Sequence, residues 1–273
     1  MSPADRVPDP VPDPVLDRVR WLVDLTDDEL GALHGPQHGA VLLPTLVGPD
    51  DPARAAHRVA LRGLAARGLI ALTQLADGAL DVEPFETLAD LLLVREAPEA
   101  LLVVHRVRTR PEGADALLRY VFAAGPLVLL EDVNAIGIHR FGTAARAALP
   151  GLLTEFLAAD APPVPACVAC DGWPAALEMA DEDHEALLGR SLVVADVVAR
   201  PPGASGPDPT DVAHALFVLP GATYVGEAPI GERPGRLRRV DEEVGAFVAE
   251  LMAGLPSGIA CATIDSMNGR DRA

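Results

Sequence analysis

Leu101-Leu-Val-Val-His-Arg-Val107 and Ser191-Leu-Val-Val-Ala-Asp-Val-Val198 decide the fold of this 273-residue chain. Both are apolar, β-branched runs, the composition of strands. Each is followed by a second strand-like run that ends at a glycine turn, Arg119-Tyr-Val-Phe-Ala-Ala-Gly125 and Ala215-Leu-Phe-Val-Leu-Pro-Gly221. Each block then closes with an apolar helix, expected over 143–157 and 241–255. The segment 101–157 is thus echoed by 191–255, an internal repeat of meander plus helix. The expected fold is α+β, a quasi-twofold pair of antiparallel β-meander plus helix units with an N-terminal helical subdomain.

Working outward, residues 1–14 carry a doubled Val-Pro-Asp-Pro and read as a proline-rich disordered tail. Residues 15–98 read as a helical subdomain with a small β wing. Within it, 15–23 forms a short helix or strand anchored by Trp21, and Thr26-Asp-Asp-Glu29 is a capping box. Asp51 is placed to cap a helix with Pro52 at its first position and Gly68 as its left-handed stop. Ala56, Val59, Ala60, Leu64 and Leu69 share a face at helical spacing. The runs at 69–72 and 80–82 form a hairpin, and 85–93 a further helix. Residues 99–160 are the first sheet-plus-helix half, and 161–176 a proline-rich linker. Residues 177–256 are the second half, opening on an acidic helix over 177–188. Residues 257–273 form a flexible tail.

Composition limits function. Hydrophobic residues make up 49% and aromatics 4%, so the core is built from Leu, Val and Ala. The formal net charge of −18 opposes binding to nucleic acid or anionic membranes through a global field. All 22 basic residues are arginine. Without lysine there is no Walker A lysine, no Schiff-base lysine and no kinase β3 lysine. The acidic, proline-rich start has no apolar core of a signal peptide, and no uninterrupted apolar run reaches membrane-spanning length. Three cysteines do not make a secreted disulfide framework. A cytoplasmic protein is the expectation.

Each group of chemically capable residues has a structural reading beside the functional one. Cys167-Val-Ala-Cys170 is a CxxC, but it lies in the linker and only Cys261 remains as a further thiol. His34 and His38 have metal-ligand spacing, yet Gly35 and Pro36 interrupt the helix that would align them. His105 and His139 fall in strands and read as partly buried sheet residues. Glu131-Asp132 lies at a strand end, where charge marks a solvated turn. Glu178, Asp181, Glu182, Asp183 and Glu185 read as a solvated helix face. Arg233, Arg236, Arg238 and Arg239 form a small basic cluster. No Gly-x-Ser-x-Gly and no Gly-x-Gly-x-x-Gly occurs. No catalytic, cofactor or metal residue is assigned.

The order of parts resembles the EspG family, the cytosolic chaperones of actinobacterial type VII (ESX) secretion. The resemblance runs through Leu25-Thr-Asp-Asp-Glu-Leu30, the 44–49 loop and the 58–69 stretch with its Leu-Ala-Ala-Arg-Gly-Leu ending (64–69). It continues through 101–107, Ile138-His-Arg-Phe141, the 143–157 helix and a second half ending at Leu255. It implies a quasi-twofold α+β fold, no enzymatic activity, and a helical secretion substrate as partner. The proline-rich start, the Cys167–Cys170 linker and the acidic second half depart from the family. No family site residues carry across.

Three functions follow as expectations. The first is a non-catalytic chaperone or adaptor for a helical protein partner, meeting it through apolar residues on the sheet. The second is a biosynthetic-pathway enzyme using His105, His139, Glu131, Asp132, Cys167 or Cys170. The third is a winged-helix-like regulator built on the 52–82 helix and wing, with Arg54, Arg58 and Arg62 stacked on one face; the −18 charge opposes it.

Overall fold

The computed structural model describes residues 18–34, 51–74, 80–110, 113–158, 174–200, 212–219, 222–230, 232–240 and 244–253. The expectations placed on 1–14, 257–273, His38, Cys167, Cys170 and Cys261 lie outside the described residues.

Among the described residues, ten strands form one sheet. They are β1 (Arg20–Thr26), β4 (Ala100–Arg110), β5 (Gly113–Ala124), β6 (Leu127–Asn134), β7 (Ile138–Ala145), β8 (Ala176–Glu178), β9 (Val193–Arg200), β10 (Val212–Leu219), β11 (Ala222–Pro229) and β12 (Arg236–Val240). The order across the sheet is β1-β7-β6-β5-β4-β9-β10-β11-β12-β8, and every neighbouring pair is antiparallel. The two halves therefore share one sheet, joined where β4 pairs with β9. The short strands β2 (Ile70–Gln74) and β3 (Leu80–Pro84) pair separately as the expected hairpin.

The ladders locate the pseudo-twofold. Ala124–Leu127 and Leu219–Ala222 close the two equivalent hairpins. The same distance back from each, Arg119 faces Asp132 and His214 faces Glu227. Val104 lies opposite Arg119 and Val197 opposite His214, so these valines are equivalent, and they are paired with each other. The axis passes through the sheet at that pair. Each half places a basic side chain opposite a carboxylate around it, under a helix aromatic. In one, Arg119 is 2.6 Å from Asp132 and 4.1 Å from the Phe156 ring centre. In the other, His214 is 3.6 Å from Glu227 and its ring lies 6.3 Å from that of Phe247.

Helices cover the two faces unequally. The helices are α1 (Asp27–His34), α2 (Asp51–Ala66), α3 (Glu86–Glu96), α4 (Leu149–Ala158), α5 (Asp181–Arg190) and α6 (Val244–Ala253). Side chains alternate across a strand, and the core divides accordingly. Leu102, Val104, Val121, Leu130, Val197, Leu216 and Val225 pack on one face with Leu153, Phe156, Phe247 and Val248 of α4 and α6. Leu101, Val103, Tyr120, Phe122, Leu129 and Phe141 pack on the other with α1, α2 and α3. On that same second face, Phe217, Leu219, Tyr224 and Leu237 pack with Leu187 of α5. Gly245 sets the α4–α6 approach: a Cβ there would lie 2.1 Å from the Pro150 carbonyl oxygen and 2.4 Å from the Thr154 amide.

Local signals hold in several places. Glu29 N–H donates to Thr26 Oγ1 at 3.2 Å and Thr26 N–H to Glu29 Oε2 at 2.9 Å, closing the capping box. Gly68 has φ +68° at the end of α2. Other expectations need correction. Val59 is 67% exposed and Ala56 is exposed, whereas Leu61 is buried, so the apolar stripe of α2 is rotated towards α1. Residues 143–145 continue β7, because Thr143–Ala145 still pair with β6, and the helix begins only at Leu149. Leu177 and Glu178 form an edge strand on β12, and α5 follows it.

Candidate functional site

Two groups of charged side chains first invite a catalytic reading. On the α1–α3 face, β6 and β7 bring Glu131 and His139 together. The His139 imidazolium donates from Nδ1 to Glu131 Oε1 at 2.6 Å and from Nε2 to Asp27 Oδ1 at 2.7 Å. Arg95 of α3 donates to Glu131 Oε2 at 2.9 Å and Oε1 at 3.4 Å. Burial alone would raise the Glu131 pKa; the hydrogen bond from His139 and the charge of Arg95 overcome it and hold the carboxyl below its ordinary value. Burial would likewise lower His139, but hydrogen bonds to Glu131 and Asp27 raise it. Gly137, at φ +72°, admits this contact: a Cβ there would fall 2.0 Å from Asp27 Oδ2, and its carbonyl accepts the Asp27 amide at 3.1 Å. Glu131 is therefore fully buried and paired, which corrects the solvated-turn reading. Both ring nitrogens of His139 are engaged, so the network holds α1 and α3 on the sheet and offers no base to a substrate.

The second group lies on the α4–α6 face. Arg106 and Arg119 are buried beneath α4; Arg106 donates to the carbonyl of Phe156 in its last turn and Arg119 to that of Leu152 in its first. Arg119 also donates to both Asp132 oxygens, at 2.6 and 2.7 Å. Burial and the charge of neighbouring Arg108 lower the Arg106 pKa to about 10. Two carbonyls of α4, that of Phe156 at its C-terminal end, and a carboxylate account for these guanidinium contacts. Asp132 thus faces away from Glu131, and the enzyme candidates divide between two faces.

The basic cluster is also scattered. Arg236 pairs with Glu178 at 3.2 Å on the surface, Arg238 lies 5.1 Å from the Phe247 ring centre, and Arg233 is exposed. In the acidic run, Asp183 accepts the Ala180 amide at 3.0 Å and Glu185 is exposed, as a solvated helix face requires. His34 is the last residue of α1. No group of three His, Cys, Asp or Glu among the described residues could hold a metal. A shallow cleft where α4 meets α6, lined by Arg146, Leu149, Pro150, Ala246, Ala249 and Glu250, carries no convergent polar constellation.

What stands out among the described residues is a strip at the centre of the sheet, beyond the part of β4 where Leu101 and Val103 pack with α1, α2 and α3, that the described helices leave partly open. On the α3–α5 face, α3 lies against β5 and β6, and α5 against β10. Between them run β4 and β9. His105 and Asp196 form a cross-strand pair there and are both exposed, in the middle of ten strands. Val107 pairs with Val194 next to them, and Val198 lies on the same side; all three are half-buried. The opposite side of the same two strands is sealed, with Val104 and Val197 fully buried beneath α4 and α6. Burial among these neighbours raises the Asp196 pKa, and His105 offsets part of the rise. His105 was a sequence candidate; Asp196 was missed, although a lone charge inside Val193-Val-Ala-Asp-Val-Val198 is its signal.

No family model matches the chain, and no curated protein matches it. Among solved structures similar to it is that of the Mycobacterium tuberculosis type VII secretion system chaperone EspG5 in complex with PE25-PPE41 dimer. The identity is 14%, over 86% of this chain and 97% of the other, with a TM-score of 0.47.

Proposed function

We propose that this chain is a non-catalytic protein-binding module, a cytoplasmic chaperone or adaptor for a helical partner of the kind handled in type VII secretion. The observation that carries the reading is the open strip on β4 and β9. A sheet buries apolar side chains by taking helices on its faces, and here one face of the central strands is sealed, while the other leaves His105 and Asp196 exposed and Val107, Val194 and Val198 half-buried. Surfaces of that composition at the centre of a rigid scaffold mark sites of protein contact. The EspG family resemblance, carried by the order of parts, points the same way. No described helix is long and apolar enough to cross a membrane.

The test is affinity purification of the tagged chain from its own cells. The proposal expects a helical protein at comparable molar amount, lost when Val198→Asp places a charge in the strip. Retention of the partner by that variant, or recovery of the chain alone, would count against it.

A further inference from the structure

We propose that the strip between α3 and α5 seats one α-helix of a protein partner. That helix is apolar where it meets Val107, Val194 and Val198, and carries an arginine or lysine opposite Asp196. This rests on the protein-binding reading above and specifies the partner's chemistry.

The occupant follows from spacing. Strands lie about 4.8 Å apart. From the β5–β6 boundary under α3 to the far side of β10 under α5 is about four strand spacings, or roughly 19 Å. Packed helices sit 8–10 Å apart axis to axis, so that width takes about one helix between α3 and α5. A strand added at an edge would not cover the strip, because β4 and β9 already pair on both sides.

The charge follows from Asp196. Among the described residues its carboxylate accepts no hydrogen bond and has His105 as its titratable neighbour. A docked helix would take it out of water, which is unfavourable unless a cation comes with the helix. An arginine or lysine near the middle of the incoming apolar stripe meets that need. A carboxylate at the same place would be repelled, which gives selectivity in a chain of net charge −18.

The experiment introduces a photo-crosslinking benzoylphenylalanine separately at His105, at Ala249 in the α4–α6 cleft, and at exposed Ile136 in the β6–β7 turn. Full-length variants are irradiated in the source cells and the crosslinked peptides are sequenced, with circular dichroism confirming that each variant folds. The expected result is adducts from His105 alone, mapping to a helix with Arg or Lys within one turn of the crosslink. Asp196→Arg should cut the adduct yield by about ten-fold or more, and reversing the partner's cation to Glu should restore it. Adducts from Ala249 or Ile136 without His105 would overturn the strip assignment and leave the protein-binding reading standing. So would a yield indifferent to the charge swap overturn the cation. Absence of adducts at all three sites would remove both.

Discussion

Glu131→Gln tests how the helical segment is held to the sheet. The substitution keeps the shape and removes one charge. Glu131 is fully buried and accepts from His139 at 2.6 Å and from Arg95 at 2.9 and 3.4 Å. A Gln side chain has one carbonyl oxygen, so one of these donors must face an NH2 group. Arg95 and His139 are left as cations with little water, since their side chains are 12% and 1% exposed. Removing one partner of a buried pair costs about 3–5 kcal/mol. Asp27 still neutralises His139 from its half-exposed position at 2.7 Å, which places the expected loss near the lower end, about 3 kcal/mol. Urea unfolding followed by circular dichroism would read it as a drop in the midpoint. The companion variant replaces the network as a whole: Glu131→Leu with His139→Leu and Arg95→Met should recover most of the loss, because apolar replacement of a buried ion network is close to neutral. A Glu131→Gln loss below about 1 kcal/mol, or a triple variant worse than the single one, would refute the reasoning.

The same network fixes a pH window. Glu131 has a depressed folded pKa, so its contribution is present above the ordinary value of 4.5 and is lost as pH falls through the folded value. His139 has a raised one, so its contribution is full below 6.5 and is lost as pH rises through the folded value. Stability from this source should therefore peak between those ordinary values, and the alkaline fall should vanish in His139→Leu; an unchanged profile would count against it. Gly245→Ala should destabilise by about 2 kcal/mol or more, read by thermal unfolding, because the added carbon meets backbone of α4 that cannot rotate away. Gly137→Ala should cost about 1–3 kcal/mol, from the positive φ and the contact with Asp27 together. Asp196→Asn, in contrast, should leave the free chain's stability within about 0.5 kcal/mol while weakening partner binding. A large stability loss there would mean that Asp196 serves the fold.

Much of the sheet was legible because its information is local. The β-branched runs at 101–107 and 191–198 became the two central strands, and Thr26 with Glu29 capped α1 as their spacing required. The repeat was visible, but matching its glycines slips the register by one. One turn runs Gly125-Pro126 and the other Pro220-Gly221, so the ladder makes Arg119 equivalent to His214, where the glycine match gives Ala215. The misses arise where tertiary contact overrides pattern. The buried side of α2 is chosen by its packing on α1, which periodicity alone does not see. Residues 143–145, Thr-Ala-Ala, run on into an alanine-rich stretch that suits a helix, yet their backbone completes the ladder with β6. Glu131 reads as a surface charge until Arg95, from α3, and His139, from the next strand, are brought beside it. The strip was out of reach for a similar reason: which face of β4 and β9 lacks a helix depends on where α3 and α5 come to rest.

The most direct test of that strip is carboxyl and histidine labelling of the free chain, repeated with its co-purified partner. The account predicts that Asp196 and His105 label readily in the free chain, that Glu131 and His139 do not, and that the partner protects Asp196 and His105. If Asp196 and His105 in the free chain were as resistant as Glu131 and His139, or labelled equally with the partner bound, the central strip would not be the binding surface.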